Sequence, residues 1–351
     1  MRAYADTLMA ALSNHAPEIN AELVELNPSP MRWRWGQRIQ TMLMPARAWL
    51  ERGRAPDVWH VLDGSRAYVA RALGPAPVVI TAHDLIPWLQ ANGKFPGTPP
   101  LGTAARALWR SNGMALQRSA LAVCVSACAQ RDVQEAFALA PGNSVVVHHS
   151  LRTAMADRVR QSSESPKDAG VVLHIGNNGF YKNREGVLRI FSRLDSQIAK
   201  RLVMAGPAPT LELLRIAHEL GISDRIEWFN DPDDDTLARL YRQSSVLLFP
   251  SLYEGFGWPV LEAMAFGLPV VVSDAGSLPE VVGDASTGLP LDDVQGFVSA
   301  VENLLRSPEV ARAAAQRGLA RARDFGSAAF ADGMRRAYLL AIENGRRSRK
   351  A

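Results

Sequence analysis

The stretch Ser251-Leu-Tyr-Glu-Gly-Phe-Gly-Trp-Pro-Val-Leu-Glu262 follows an apolar run, Val246–Phe249, and leads directly into a helical pattern. Pro259 suits the first turn of that helix, where no N–H is needed. Gly255 and Gly257 let the backbone approach a ligand closely, and amides at a helix start attract phosphate. Glu254 stands before the helix and Glu262 just inside it. Two readings of this pair are open. The carboxylates grip hydroxyls at the two ends of one ligand, since a carboxylate accepts two hydrogen bonds from vicinal hydroxyls. Alternatively, Glu254 caps the helix and Glu262 is a favourable charge near its first turn.

Working outward, short β-branched runs recur, each followed by a helical pattern. In the first part they are Val58–Leu62, Val78–Ala82, Ala122–Ser126 and Ser144–His148; in the second, Val171–Ile175, Arg201–Ala205, Arg225–Phe229, Val246–Phe249 and Pro269–Ser273. Helical spacing of apolar residues intervenes at Leu211–Leu220, Thr236–Gln243 and Pro259–Phe266. Such alternation predicts βαβ units, and nearly continuous apolar strands predict parallel sheets covered on both faces. The polar stretch Arg152–Gly170, with Gln161-Ser-Ser-Glu-Ser-Pro-Lys-Asp168, reads as the boundary. The expectation is two facing Rossmann-like domains with ligand sites at the carboxyl ends of the strands. Residues 1–155 would form the first and 168–325 the second. Residues 326–351 would be a helix (Phe330–Asn344) returning toward the first, followed by a basic tail.

Of the 351 residues, 47% are apolar and 21% charged, which excludes a disordered chain and leaves enough for full cores. No apolar stretch reaches the ~20 residues of a membrane-spanning helix, and Met1–Pro17 lacks the layout of a signal peptide. With only Cys124 and Cys128, four apart in an apolar run and without a neighbouring histidine, the thiols read as buried and structural. The expected location is the cytoplasm. Lys and Arg number 39 against 35 Asp and Glu, and Met1–Ser150 holds 14 and 10 of these, so the first part carries the whole excess. Within Met31–Arg54, six arginines (32, 34, 38, 47, 52, 54) face only Glu51 and interleave with Trp33, Trp35, Met42, Leu43, Met44 and Trp49. This composition fits either docking on an anionic membrane surface, peripheral on its inner face, or an amphipathic helix packed on its own domain. No nucleic-acid module accompanies the charge, so nucleic acid is not an expected partner.

The quoted stretch, continued by Ala263-Met-Ala-Phe-Gly-Leu-Pro-Val270, Ser273-Asp274, Ser277-Leu-Pro-Glu280 and Gly283-Asp-Ala285, resembles the retaining glycosyltransferases of the large GT-B family four, the glycosyl transferases group 1 type. Upstream, His174-Ile-Gly-Asn-Asn-Gly-Phe-Tyr-Lys-Asn183 is similar to that family's entry into its donor-binding domain. The likeness is strong over about Val171–Leu289 and weak before it. It implies a transferase that takes a nucleotide-diphosphate sugar to a glycan or lipid-linked acceptor in polysaccharide or glycoconjugate biosynthesis, without a metal cofactor. Glu262 would then hold the ribose. Glu254, with the amides of Phe256 and Gly257, would hold the donor sugar. Lys182 would neutralise the departing diphosphate, helped by the Gly257–Val260 amides. Gly176, Asn177, Asn183, Gly255, Trp258 and Pro259 would complete the donor site, with Asn230 and Asp231 beside the base. The family often has a second cation after the first glycine, where this chain has Asn177; either its amide donates instead or an arginine comes from elsewhere.

In the first part, Val78-Val-Ile-Thr-Ala-His-Asp-Leu-Ile-Pro87 ends a strand with His83 and Asp84, and the resemblance makes His83 a catalytic-site candidate beside the reacting sugar. A core histidine is the competing reading, and His60 is a weaker candidate of the same kind. His148 and His149 read as structural. Asp231-Pro-Asp-Asp-Asp-Thr236 contains Asp-x-Asp spacing, which metal-dependent transferases of another fold use for Mn²⁺; capping of the following helix explains it without metal. The family opens with a strand and a glycine-rich loop, whereas Met1-Arg-Ala-Tyr-Ala-Asp-Thr-Leu8 looks like the helix that follows them. The expectation is therefore a first domain without its opening strand, through an earlier natural start or a rearranged sheet. Two other functions compete: a catalytically degenerate sugar-nucleotide-binding subunit, and another GT-B enzyme such as an epimerase or phosphorylase.

Overall fold

The structure, a computed structural model, describes residues 2–26, 34–140, 142–161 and 168–348. The chain divides into two compact units, Met1–His149 with Ser327–Ala351, and Ser150–Gly326. Each is an α/β unit built on one wholly parallel sheet.

In the first unit, β1 (Trp59–Val61), β2 (Val78–Ala82), β3 (Leu121–Cys124) and β4 (Ser144–Val146) lie side by side in chain order. All four residues of β3 are buried, as expected of a strand covered on both faces. The helix Arg2–His15 buries Tyr4, Ala5, Leu8, Ala11 and Leu12, a single stripe at 3–4 spacing. The last helix, Ser327–Ser348, belongs to this unit. It buries Phe330, Met334, Ala337 and Ala341, and Asn344 Nδ2 donates to Ala120 O at 3.0 Å. Among the described residues, no strand precedes Trp59, and the strand order never reverses within this sheet. Cys124 and Cys128 are buried free thiols, and burial pushes the Cys124 thiol up to about 12.

The boundary falls at His149/Ser150 rather than at 155, and the stretch from Arg152 is not a plain linker. Its first half forms the helix Thr153–Arg160, whose Arg158 pairs with Asp235 of the helix Asp234–Gln243 at 2.7 Å. The segment's polar composition hid a helix that buries Met155 and pairs Arg158 with a distant acid. Residues 162–167 lie outside the described residues, as do Arg32 and Trp33.

The second unit has β5 (Val171–Ile175), β6 (Arg201–Gly206), β7 (Ile226–Asn230), β8 (Val246–Phe249) and β9 (Val270–Val272), in the order β7-β6-β5-β8-β9. The chain builds outward from β5 in one direction, then crosses to β8 and builds in the other. The order reverses between β5 and β8, and doubly wound sheets bind ligands at the carboxyl ends of the strands beside such a reversal. Helix Arg184–Phe191 covers one face through Val187, Leu188 and Phe191, all fully buried with Leu202, Met204 and Phe297.

Candidate functional site

Both loops flanking this order reversal contain residues marked by the sequence. After β8, the turn Ser251–Gly257 ends in Gly257, whose φ of +99° favours glycine, and the helix Trp258–Ala265 begins there without a side-chain cap. A second strand of chain supports the turn: Ser277 N donates to Glu254 O at 3.0 Å, and Ser277 Oγ to Phe256 O at 2.8 Å. Gly276 (φ +61°) lies so close beneath that a Cβ there would sit 2.5 Å from Glu254 O.

Glu254 is 6% exposed and Glu262 only 2%. Neither faces the interior alone. Lys182 Nζ donates to both oxygens of Glu254, at 2.7 and 3.0 Å. The same ammonium lies 5.2 Å from the centre of the Phe249 ring. Glu262 Oε1 accepts from Arg152 Nε, and Oε2 from the Tyr241 hydroxyl at 2.8 Å. Arg152 Nη1 reaches on to Asp234 Oδ1 at 2.8 Å. Burial opposes the Arg152 charge, yet Glu262 and Asp234 together hold its pKa above the ordinary arginine value. Burial, reinforced by Glu262, pushes the Tyr241 hydroxyl well up, so it stays a donor. Each glutamate is therefore buried, hydrogen-bonded and paired with a cation. A carboxylate has about four acceptor positions. The two side-chain bonds from Arg152 and Tyr241 occupy only part of the acceptor capacity of Glu262.

Some expected ligand groups have other employment. Val260 N closes the first turn onto Gly257 O at 3.0 Å, and Pro259 has no N–H, so the anticipated row of Gly257–Val260 amides contracts toward Gly257. Asn177 folds its own loop: Nδ2 donates to the Tyr181 hydroxyl at 2.9 Å and Oδ1 accepts Gly179 N at 2.8 Å. Asn183 caps helix Arg184–Phe191 by accepting Gly186 N, and its Nδ2 donates to Pro250 O at 2.8 Å, tying the loop after β5 to the end of β8. A Cβ on Gly176 would stand 2.9 Å from His174 Nε2 and 3.2 Å from the Lys182 side chain. Asn230 is exposed at the end of β7, and Asp231 (φ +46°) donates its N–H to Gly206 O at 2.7 Å. Asp233 caps the helix Asp234–Gln243 through Thr236 N at 2.8 Å, while Asp234 and Asp235 pair with Arg152 and Arg158.

In the first unit, His83 is held at both ring nitrogens. Nε2 donates to Leu62 O at 2.8 Å, and Nδ1 lies 3.1 Å from His149 Nε2. With Nε2 as the donor, Nδ1 of a neutral His83 accepts from His149, so His149 is no bystander but orients His83. Burial lowers the pKa of both. His60 bridges the Tyr338 hydroxyl (2.9 Å) and Thr81 Oγ1 (2.7 Å), a position inside the unit.

Sequence reading passed over Arg152 and Tyr241. Arg152 sat in a presumed linker, and Tyr241 looked like one more apolar position of its helix. A buried acid demands a cation, and that demand on Glu262 was the available signal.

Residues 155–321 match the family model described as Glycosyl transferases group 1, and residues 7–154 match Glycosyltransferase Family 4. An uncharacterized glycosyltransferase of Methanocaldococcus jannaschii is 32% identical over 107 residues, 30% of this chain and 27% of that protein. D-inositol 3-phosphate glycosyltransferase 1 of Catenulispora acidiphila is 28% identical over 306 residues, 82% of this chain and 72% of that one. This chain thus spans about a quarter of one relative's length and most of the other's. The fold is shared with sucrose-phosphate synthase of Thermosynechococcus elongatus, with a TM-score of 0.72 and 20% identity over 90% of this chain and 82% of that one.

Removing Arg152 leaves Glu262 buried without its cation, a loss of about 3–5 kcal/mol. Arg152→Met is expected to destabilise the second unit in denaturant titration by that amount, and adding Glu262→Gln to recover part of it. A double variant whose losses simply add would contradict the pairing. Acid tests the histidines. His60 and His174 are held at about 3, chiefly by burial, below the ordinary value of 6.5. Between those values the unfolded chain binds more protons, so stability is complete above about pH 6.5 and falls as pH drops through the window. Thermal midpoints at pH 7, 6 and 5 should fall in that order, and His174→Gln should flatten the fall; a midpoint that rises on acidification would contradict it.

Proposed function

Because the chain belongs to the glycosyl transferases group 1 family of the GT-B fold, we propose that it transfers a sugar from a nucleotide-diphosphate donor to a glycan or lipid-linked acceptor, with retention and without a metal ion. The observation that carries this is the pair of buried, cation-matched glutamates on either side of the glycine turn after β8. In this reading Glu262, oriented by Arg152 and Tyr241, accepts from the ribose hydroxyls. Glu254 and the backbone near Gly257 accept and donate to the sugar. Lys182, joined to Glu254 at 2.7 Å, lies where the diphosphate must leave.

The chemistry then follows from charge. The bond from the anomeric carbon to the diphosphate oxygen breaks, and negative charge grows on the diphosphate as positive charge spreads over the ring. A fixed ammonium stabilises the first without reorganisation. The acceptor oxygen attacks the face the diphosphate leaves, and its proton passes to a diphosphate oxygen. The first unit is assigned the acceptor, with His83, fixed by Leu62 and His149, orienting a hydroxyl.

The membrane reading also gains support. The helix Arg34–Leu50 leaves Ile39, Met42, Leu43, Trp49 and Leu50 exposed, with Met42 at 79% and Leu50 at 72%. They recur at helical spacing along one side, beside Arg47, Arg52 and Arg54. No helix among the described residues is long and apolar enough to cross a membrane. We place an anionic membrane surface against this side, where a lipid-linked acceptor would be met.

Two measurements test the proposal. The purified chain in excess EDTA should release sugar from its donor and, with acceptor, form a product that keeps the anomeric configuration. Full dependence on Mn²⁺ or an inverted anomer would reject the corresponding part, and nucleotide binding without turnover across an acceptor panel would favour a degenerate binding subunit. Sedimentation with phosphatidylglycerol-containing vesicles should exceed that with phosphatidylcholine alone and drop in Met42→Asp/Leu50→Asp. Equal sedimentation with both vesicles would reject the membrane surface.

A further inference from the structure

Lys182 meets Glu254, and Arg152 meets Glu262 and Asp234. A third cation in the same unit has no such match. Arg184, the first residue of helix Arg184–Phe191, is 4% exposed. Its Nη1 donates to Asn178 Oδ1 in the loop after β5 and to Pro207 O in the loop after β6, the latter at 3.0 Å. Its guanidinium carbon lies 5.3 Å from the centre of the Trp228 ring. Nε and Nη2 have no hydrogen-bond partner. Burial pushes the pKa of this group down, and no acid among the described residues offsets it.

The geometry of the unfilled pair is specific. Nε–H and Nη2–H lie along one edge of the planar guanidinium, the edge that receives two oxygens of a phosphate or carboxylate side by side. Nη1, away from that edge, is locked to two loops, so the edge is fixed before any ligand arrives. Around it the backbones of those loops touch directly: a Cβ on Gly206 (φ +145°) would stand 2.2 Å from Gly176 O. His174 Nε2 is also buried without a partner and lies 2.9 Å from where a Gly176 Cβ would be. Its Nδ1–H donates to Leu248 O at 3.0 Å, which makes Nε2 a neutral acceptor and no counter-charge. A guanidinium buried without an anion is costly, and an anion that binds there removes the cost.

We propose that the Nε–Nη2 edge of Arg184 binds a phosphate group of the nucleoside diphosphate, at the carboxyl ends of β5 and β6. The assignment rests on reading the second unit as the donor site. Lys182 then shares its charge between Glu254 and the leaving phosphate, and Arg184 supplies the charge that no protein acid already occupies.

Titration calorimetry in EDTA compares UDP, UMP and uridine, and GDP, GMP and guanosine, on the full chain. If neither series binds the unaltered chain, the donor-site reading falls and this assignment with it. If one series binds, Arg184→Gln is expected to weaken the diphosphate about 10- to 100-fold while changing the nucleoside less than about twofold. An unchanged diphosphate affinity, or an equal loss for the nucleoside, overturns the assignment while leaving the donor site standing. Should Arg184→Gln fail to fold, a crystal of the unaltered chain with the bound diphosphate decides. A phosphate oxygen within about 3 Å of both Nε and Nη2 supports the assignment. A water or the nucleotide base on that edge overturns it.

Discussion

A carboxylate buried to within a few per cent of complete exclusion from water is tolerated only beside a cation. The second unit holds two of them around one glycine turn. Much of the local architecture answers that constraint. Glu254 requires Lys182, which fixes the path of the loop after β5 against the turn after β8. Glu262 requires Arg152, which holds the beginning of the unit close to the helix Trp258–Ala265. That hold is doubled by the Trp258 indole donating to Ser150 O at 3.1 Å. Both acids are thus held by cations on either side of a backbone turn whose Gly257 takes a left-handed φ of +99°.

The loops around these acids are shaped by their own amides. Asn177 and Asn183, expected at the donor site, close a loop and cap a helix. Asp231, Asp233, Asp234 and Asp235 form a dense acidic run, and the structure gives Asp233 a capping role and the next two an arginine each. Arg184 stands out because it departs from that pattern: its fork is hydrogen-bonded on one side and buried without a hydrogen-bond partner on the other.

The strands were legible because parallel, doubly covered strands must be apolar throughout; Val78–Ala82, Val171–Ile175 and Val246–Phe249 have the bounds their sequence implies. The turn after β8 was legible because glycine, proline and acid at fixed spacing leave few backbone solutions. Thr153–Arg160 was not, since it buries one apolar residue, Met155, and its remaining long-range partners are acids about 80 to 110 positions away from Arg152 and Arg158, which no local pattern encodes. His149 was hidden for a related reason. Its role depends on lying 3.1 Å from His83, a neighbour 66 positions earlier, which only the parallel order of β2, β3 and β4 brings about.

The central claim is that the turn Ser251–Glu262 and the loop Gly176–Asn183 together cradle the donor. Amide hydrogen exchange on the full chain, with and without a saturating nucleotide sugar, reads this directly. Slowed exchange concentrated in those two segments, and lost when Glu262 is changed to Gln, is the predicted result. A nucleotide sugar that binds yet slows exchange only elsewhere would contradict it.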